Sequence, residues 1–150
     1  MREILFRGKR VDGRGWVEGF YTLTSFGVGF SPSIIVFNGG STMPAMVIPS
    51  TVGQFTGLTD KNGKNSFEGD RISFPTYILG HKVGDEEAVV VFKDGSFCVE
   101  YENAFHALGD FSEPLKESGH YVCNYGMVYD KYVSTFVVIG NIHQQAKEQS

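Results

Sequence analysis

Ala88-Val89-Val90-Val91-Phe92-Lys93-Asp94-Gly95-Ser96-Phe97-Cys98-Val99-Glu100-Tyr101 is the stretch that decides the fold. Two runs of β-branched and aromatic residues flank Asp94-Gly95. That dipeptide accepts the positive φ that both central positions of a two-residue hairpin loop require. The spacing predicts strands over 88–92 and 96–101. Working outward, the same pattern recurs. Strands are predicted over 3–7 and 15–23, reversed through Arg10-Val11-Asp12-Gly13. A strand over 33–37 leads into an Asn38-Gly39-Gly40-Ser41 loop. Pro44 makes 43–48 an edge strand or a strand start. A strand over 69–74 ends at Pro75. One helical turn is expected over 103–108, a polar loop over 110–119 and a weak strand over 121–125. The run 132–142 is a long strand whose continuous apolar middle fits burial on both faces.

Composition agrees. Of 150 residues, 19 are Gly and 13 are Phe, a turn former and a strand former in excess. Charged residues make up 20% of the chain and hydrophobic ones 41%, which excludes a disordered polymer. Net charge is −4 and pI about 5.5, which excludes a generally basic nucleic-acid binder. The fold class is therefore mainly β: short antiparallel strands closing into a small barrel or roll, with an N-terminal β-hairpin lobe and little helix. The division expected is an N-terminal lobe over 1–45, a β-roll over 46–143 and a polar tail over 144–150. Cys98 and Cys123 read as free, buried thiols of a reducing cytoplasm. Neither a signal peptide nor a membrane span is expected, because no apolar run approaches the roughly 20 residues a bilayer requires.

Few residue patterns offer chemistry. His120-x-x-Cys123 is a single weak pair where zinc needs four convergent ligands. Asp60-x-Asn62-x-Lys64 fails as a calcium loop, because Lys64 is cationic and Asn65 stands where glycine is required. It reads as a turn. Glu68 and Asp70 would share one face of a strand and could share a proton. Asp85-Glu86-Glu87 reads as a solvated loop. No cofactor and no metal is expected. Arg2, Arg7, Lys9, Arg10 and Arg14 supply five of the 13 basic residues, with Phe6 and Trp16 interleaved. Such a hairpin could grip phosphate and stack bases, so Arg7, Lys9, Arg10, Arg14 and Trp16 are the candidate nucleic-acid contacts.

The segment Thr51-Val52-Gly53-Gln54-Phe55-Thr56-Gly57-Leu58-Thr59-Asp60-Lys61-Asn62-Gly63-Lys64-Asn65-Ser66-Phe67-Glu68-Gly69-Asp70 closely resembles the signature of the YopX family. The opening Arg2-Glu3-Ile4-Leu5-Phe6-Arg7-Gly8-Lys9, the Trp16-Val17-x-Gly19 after it and the closing Val138-Ile139-Gly140-Asn141-Ile142 are similar to it too. Ser66-Phe67 and Arg71 depart from the usual pattern, and the region 80–132 carries no signature. The resemblance implies a phage- or prophage-encoded protein, in the cytoplasm of a bacterial host. It implies a β-rich fold whose later part is an SH3-like roll. It brings no catalytic residues. Gly53, Gly57, Gly63 and Gly69 read as turn or close-approach positions, and Phe55, Leu58 and Phe67 as packing anchors. Gln54, Asn62, Glu68, Asp70, Gly140 and Asn141 complete the signature and read as structural.

The function expected is a non-enzymatic protein-binding or assembly module, its partner a host protein, a phage protein or a second copy of itself. The aromatic segments 26–37 and 121–132 are its candidate surfaces. A nucleic-acid accessory protein using the basic hairpin is the alternative. A small hydrolase-like enzyme using Glu68 and Asp70, or a Cys/His pair, is the third reading.

Overall fold

The computed structural model describes residues 3–25, 27–36 and 44–143. Among them are strands and three short 3-10 turns, with no α-helix. The Asn38-Gly39-Gly40-Ser41 loop and the tail 144–150 lie outside the described residues. Two compact units form, one of Met1–Gly57 with Phe67–Gly69, the other of Leu58–Ser66 with Asp70–Ser150. The expectation places a boundary at 45/46; the first unit runs on to Gly57 and takes up Phe67–Gly69 as well. The reason is strand pairing: Phe6 lies opposite Gln54 and Arg7 opposite Gly53, so the start of the signature belongs to the N-terminal unit.

In the first unit, β1 (Phe6–Lys9), β2 (Trp16–Thr24), β3 (Ser31–Ile35), β4 (Pro44–Met46) and β5 (Gly53–Thr59) lie in the order β4-β3-β2-β1-β5. The β1–β2 pairing aligns Lys9 with Trp16 and Phe6 with Gly19, as a reversal at Asp12-Gly13 requires. Ile34, Ala45, Val47, Phe55 and Phe67 are buried. A 3-10 turn over Pro49–Thr51 follows β4. There Thr51 Oγ1 accepts the Lys9 N–H at 2.9 Å and donates to the Ile48 carbonyl at 2.6 Å. The last residues of β5 and the first of β6 (Asn65–Phe67) belong to the second unit, where Ser66 Oγ donates to the Leu58 carbonyl at 2.7 Å.

The second unit is built on β7 (Asp70–Ile78), β8 (His81–Lys93), β9 (Ser96–Tyr101), β10 (Ala104–Ala107) and β15 (Val137–Asn141), in the order β10-β9-β8-β7-β15. Two small ribbons complete it. They are β11 (Ser112–Pro114) with β14 (Tyr132–Ser134), and β12 (Gly119–Val122) with β13 (Gly126–Tyr129). Alternate residues of β7, β8, β9 and β15 point inward, so Ile72, Phe74, Val90, Val99 and Val138 meet Leu108 and Phe136 in one core. Burying each such side chain stabilises the fold by about 1.5–3 kcal/mol. The sheet is open at both edges, and no closed barrel forms among the described strands.

Several boundaries differ from expectation, each for a visible reason. β7 runs through Pro75 to Ile78. Its pairing with β15 reaches only as far as Ser73, so Pro75 sits where β7 has become an edge strand and its missing N–H leaves no gap. Asp85-Glu86-Glu87 lies on β8, not in a loop, opposite Pro75, Phe74 and Ser73. The expected helical turn at 103–108 is a hairpin instead. Glu102 and Asn103 hold φ of 51° and 62°, so Tyr101 pairs with Ala104 across a two-residue loop. The polar loop 110–119 contains β11 and a 3-10 turn. The weak strand 121–125 is the hairpin β12–β13. The long strand 132–142 breaks at Thr135-Phe136, because β14 pairs with β11 while β15 pairs with β7. Cys98 is buried as expected, but Cys123 is exposed in the β12–β13 turn; both are free thiols.

Candidate functional site

The signature loop between β5 and β6 turns on one carboxylate. Asp60 Oδ1 accepts the N–H groups of Asn62 at 2.8 Å and Lys64 at 2.9 Å. Its Oδ2 accepts the Val138 N–H at 2.9 Å. Burial pushes the Asp60 carboxyl up, but the three backbone donors, with Lys64 nearby, outweigh it and hold the group below the usual carboxylate range. Lys61 N–H donates to the Phe136 carbonyl at 2.9 Å and Ser134 Oγ to the Thr59 carbonyl at 2.6 Å. Asp70 and Asn141, far apart in sequence, face each other across β7 and β15, 1% and 5% exposed. Asn141 Oδ1 accepts the His143 N–H at 2.8 Å, and a register shift lies just before Gly140. Glu68 lies in the turn before β7, half-buried, rather than beside Asp70 on a strand.

Two glycines of the signature have definite backbone reasons. A Cβ on Gly53 would meet the Glu68 carbonyl oxygen at 2.4 Å, so only glycine admits that approach. Gly63 takes φ 83° in the turn that Asp60 caps. Gly57 and Gly69 also have positive φ. Phe55 and Phe67 pack at 5.7 Å between ring centroids. Leu58 packs against the core of the second unit.

Among the described residues, the cations of the N-terminal hairpin differ in exposure. Arg7 is buried, its guanidinium 5.0 Å from the Trp16 ring centroid and 4.7 Å from that of Phe67. Arg10 grips Asp12 with Nε at 3.0 Å and Nη2 at 2.6 Å. That contact and the Arg14 N–H lower the Asp12 carboxyl to about 2. Arg14 extends into solvent 3.9 Å from the same carboxylate, and Lys9 is half-buried. One carboxylate therefore sits among the hairpin's exposed cations.

The β7–β8 hairpin carries an exposed apolar cluster at its end. Its turn is Leu79-Gly80, with φ of 49° and 80°, and Ile78 pairs with His81. Leu79 is 94% exposed, and Tyr77, Ile78 and Val83 are exposed beside it. Beyond this arm lies a cavity of about 490 Å³. Its walls are aromatic. The Phe74 centroid is 5.4 Å from Tyr101 and 4.5 Å from Phe111, and His106 is 6.1 Å from Tyr101 and 6.4 Å from Phe111. His106 Nε2 lies 3.2 Å from the Tyr101 carbonyl, which can only accept, so Nε2 carries the proton. Glu86 and Glu102, both exposed, line the cavity, and no Lys or Arg does. Burial, then the charge of Glu102 and its acceptance of the phenol hydrogen, then the charge of Glu86, push the Tyr101 phenol up. A second, polar cavity of about 340 Å³ is lined by Lys61, Tyr77, Asp85 and Glu113. Its charges are partly matched, since Lys82 lies 3.3 Å from Asp85.

A family model described as YopX protein matches residues 30–147. The chain belongs to the YopX family. The matched range holds the signature, the β7–β8 arm, the aromatic cavity and Gly140-Asn141, and it leaves the basic hairpin outside. The crystal structure of protein EF1440 from Enterococcus faecalis is similar, with a TM-score of 0.51 and 19% identity over 100% of both chains. At that identity the likeness is one of fold. No curated protein matches the chain. Among the described residues, no group of three His, Cys, Asp or Glu side chains is placed to hold a metal ion. His120 lies 3.5 Å from Asp130. No described helix is long and apolar enough to cross a membrane. The YopX signature thus spans β5, β6 and the two turns that follow them, with Gly140-Asn141 on β15. The cavity lies outside the signature, and no local pattern announces that Phe74, Tyr101, His106 and Phe111 will meet.

Proposed function

We propose that this YopX-family chain is a protein-binding module rather than an enzyme, and that the tip of the β7–β8 arm is its docking element. We further place it in a phage or prophage setting, acting on a protein of the bacterial host cytoplasm. The observation that carries the reading is Leu79. A leucine with φ 49° bears a backbone cost of about 1–2 kcal/mol that glycine or asparagine would relieve. The same side chain is almost fully in water, so folding recovers nothing for it. A residue unfavourable on both counts at the end of an arm is best accounted for by a partner that buries it. The signature residues, Asp60, Asp70 and Asn141 among them, are assigned the scaffold that holds this arm.

The test is capture from host cells with tagged wild-type chain and an Ile78→Ser/Leu79→Ser variant, with and without nuclease. The reading expects a specific protein that survives nuclease and is lost with the variant. Equal recovery by both chains would sink it. Recovery that vanishes with nuclease would favour nucleic acid and redirect attention to Arg14 and Lys9.

A further inference from the structure

The aromatic cavity next to the arm has a chemistry of its own. Four aromatic rings and an imidazole line it, together with two exposed carboxylates, and no Lys or Arg does. π faces attract cations, and the attraction grows when water is displaced. Carboxylates add directed hydrogen bonds to a guanidinium or an ammonium. An anion would be repelled by Glu86 and Glu102, and a purely apolar side chain would leave both carboxylates beside a dry surface. The chain already uses this pairing elsewhere. The Arg7 guanidinium lies over Trp16 and Phe67, and Lys93 Nζ is 3.8 Å from the Phe105 ring centroid. A volume of about 490 Å³ falls in the range of small-ligand sites, roughly 300–1,000 Å³, and admits one long side chain with its flanking backbone.

We propose that this cavity receives one cationic side chain, arginine or lysine, presented by the protein that the β7–β8 arm engages. The proposal rests on the protein-binding reading above and adds the chemistry of the partner. Glu86, on β8 opposite Phe74, and Glu102, in the β9–β10 turn, are the charge-recognising residues. Tyr101 and Phe111 supply ring faces. Tyr77 and Ile78 line both the cavity and the arm, so one partner segment can reach both.

The test is an NMR titration of the full chain with three probes: N-acetyl-arginine methylamide, its lysine counterpart and N-acetyl-citrulline methylamide. Citrulline has the shape of arginine without its charge. The expected result is saturable shifts at the Tyr101, Glu102 and His106 amides with arginine or lysine, and about tenfold weaker binding of citrulline. Glu86→Gln/Glu102→Gln should weaken arginine binding by roughly tenfold and leave the melting temperature unchanged, because both side chains are exposed. Citrulline binding as well as arginine, shifts confined to other parts of the chain, or an unchanged affinity in the double variant would each overturn the proposal. The same variant also goes into the capture experiment. If it retains the partner fully while Ile78→Ser/Leu79→Ser loses it, the cavity proposal falls and the arm reading stands. If arginine binds the cavity but no arm substitution alters capture, the arm reading falls, and of the cavity proposal only its choice of a cationic side chain stands.

Discussion

Two turns of the second unit share one backbone and differ in chemistry. Asp94-Gly95 joins β8 to β9 with φ of 51° and 85°, and Leu79-Gly80 joins β7 to β8 with φ of 49° and 80°. Both are two-residue hairpin loops with positive φ at each central position. Aspartate at the first position suits that geometry, since a short polar side chain tolerates the left-handed region. Leucine does not, and it gains nothing from burial. The first turn obeys local propensity. The second violates it where an arm ends in exposed Tyr77, Ile78 and Leu79. A local rule broken without a compensating contact inside the chain points to a contact outside it.

The largest expected effect lies beneath both turns. Phe74 is 1% exposed and contributes to the core under β7, β8 and β9. Phe74→Ala should cost about 3–5 kcal/mol in denaturant unfolding. A loss under about 1 kcal/mol would mean that the two hairpins do not share a core.

Next comes the loop that contrasts with both turns because it is pinned. Asp60→Ala strands three backbone donors and should cost about 2–3 kcal/mol. The carboxyl is held below its ordinary value of 3.8 in the folded chain. Its stabilising contribution is therefore full above that value and is lost as pH falls from there through the lower folded value. Unfolding measured from pH 6 down to pH 2 (about the acid limit for such work) should show that loss in the wild type and a flatter profile in Asp60→Asn. Parallel profiles would deny the carboxylate its role.

A smaller effect tests whether the two turns are the same backbone. Gly80→Ala and Gly95→Ala should each cost about 1–2 kcal/mol, since both hold positive φ with open space around the added Cβ. Unequal costs would break the comparison. The smallest effect sharpens it. Leu79→Asn should raise stability by roughly 0.5–1 kcal/mol in thermal unfolding, while reducing partner capture. A stabilised variant that still binds the partner fully would remove Leu79 from the docking surface.

The sequence legibly marked the turns with ordinary chemistry. Asp94-Gly95, Asp12-Gly13 and the Asp60-to-Gly63 reversal all occur where residue preference placed them. Leu79-Gly80 and Glu102-Asn103 were not legible, because their first residues do not favour positive φ. The strand break at Thr135-Phe136 was hidden in the same way. An apolar run reads as continuous whether it pairs with one sheet or switches between two. Burial of Arg7 was missed because a cation near aromatic residues on a hairpin reads as exposed. Stacking between Trp16 and Phe67 needs a residue from far along the chain.

By itself the sequence determined the β class, the family and the chemistry of the signature, since these rest on residue type and on neighbours a few positions apart. Only the tertiary structure decided which strand pairs with which, that Asp60 reaches Val138, that Asp70 faces Asn141, and that aromatic and imidazole rings from β7, β9, β10 and the turn after them line one cavity. Those are meetings between residues distant in sequence. Pairing register and core packing set them, and no local propensity encodes either one.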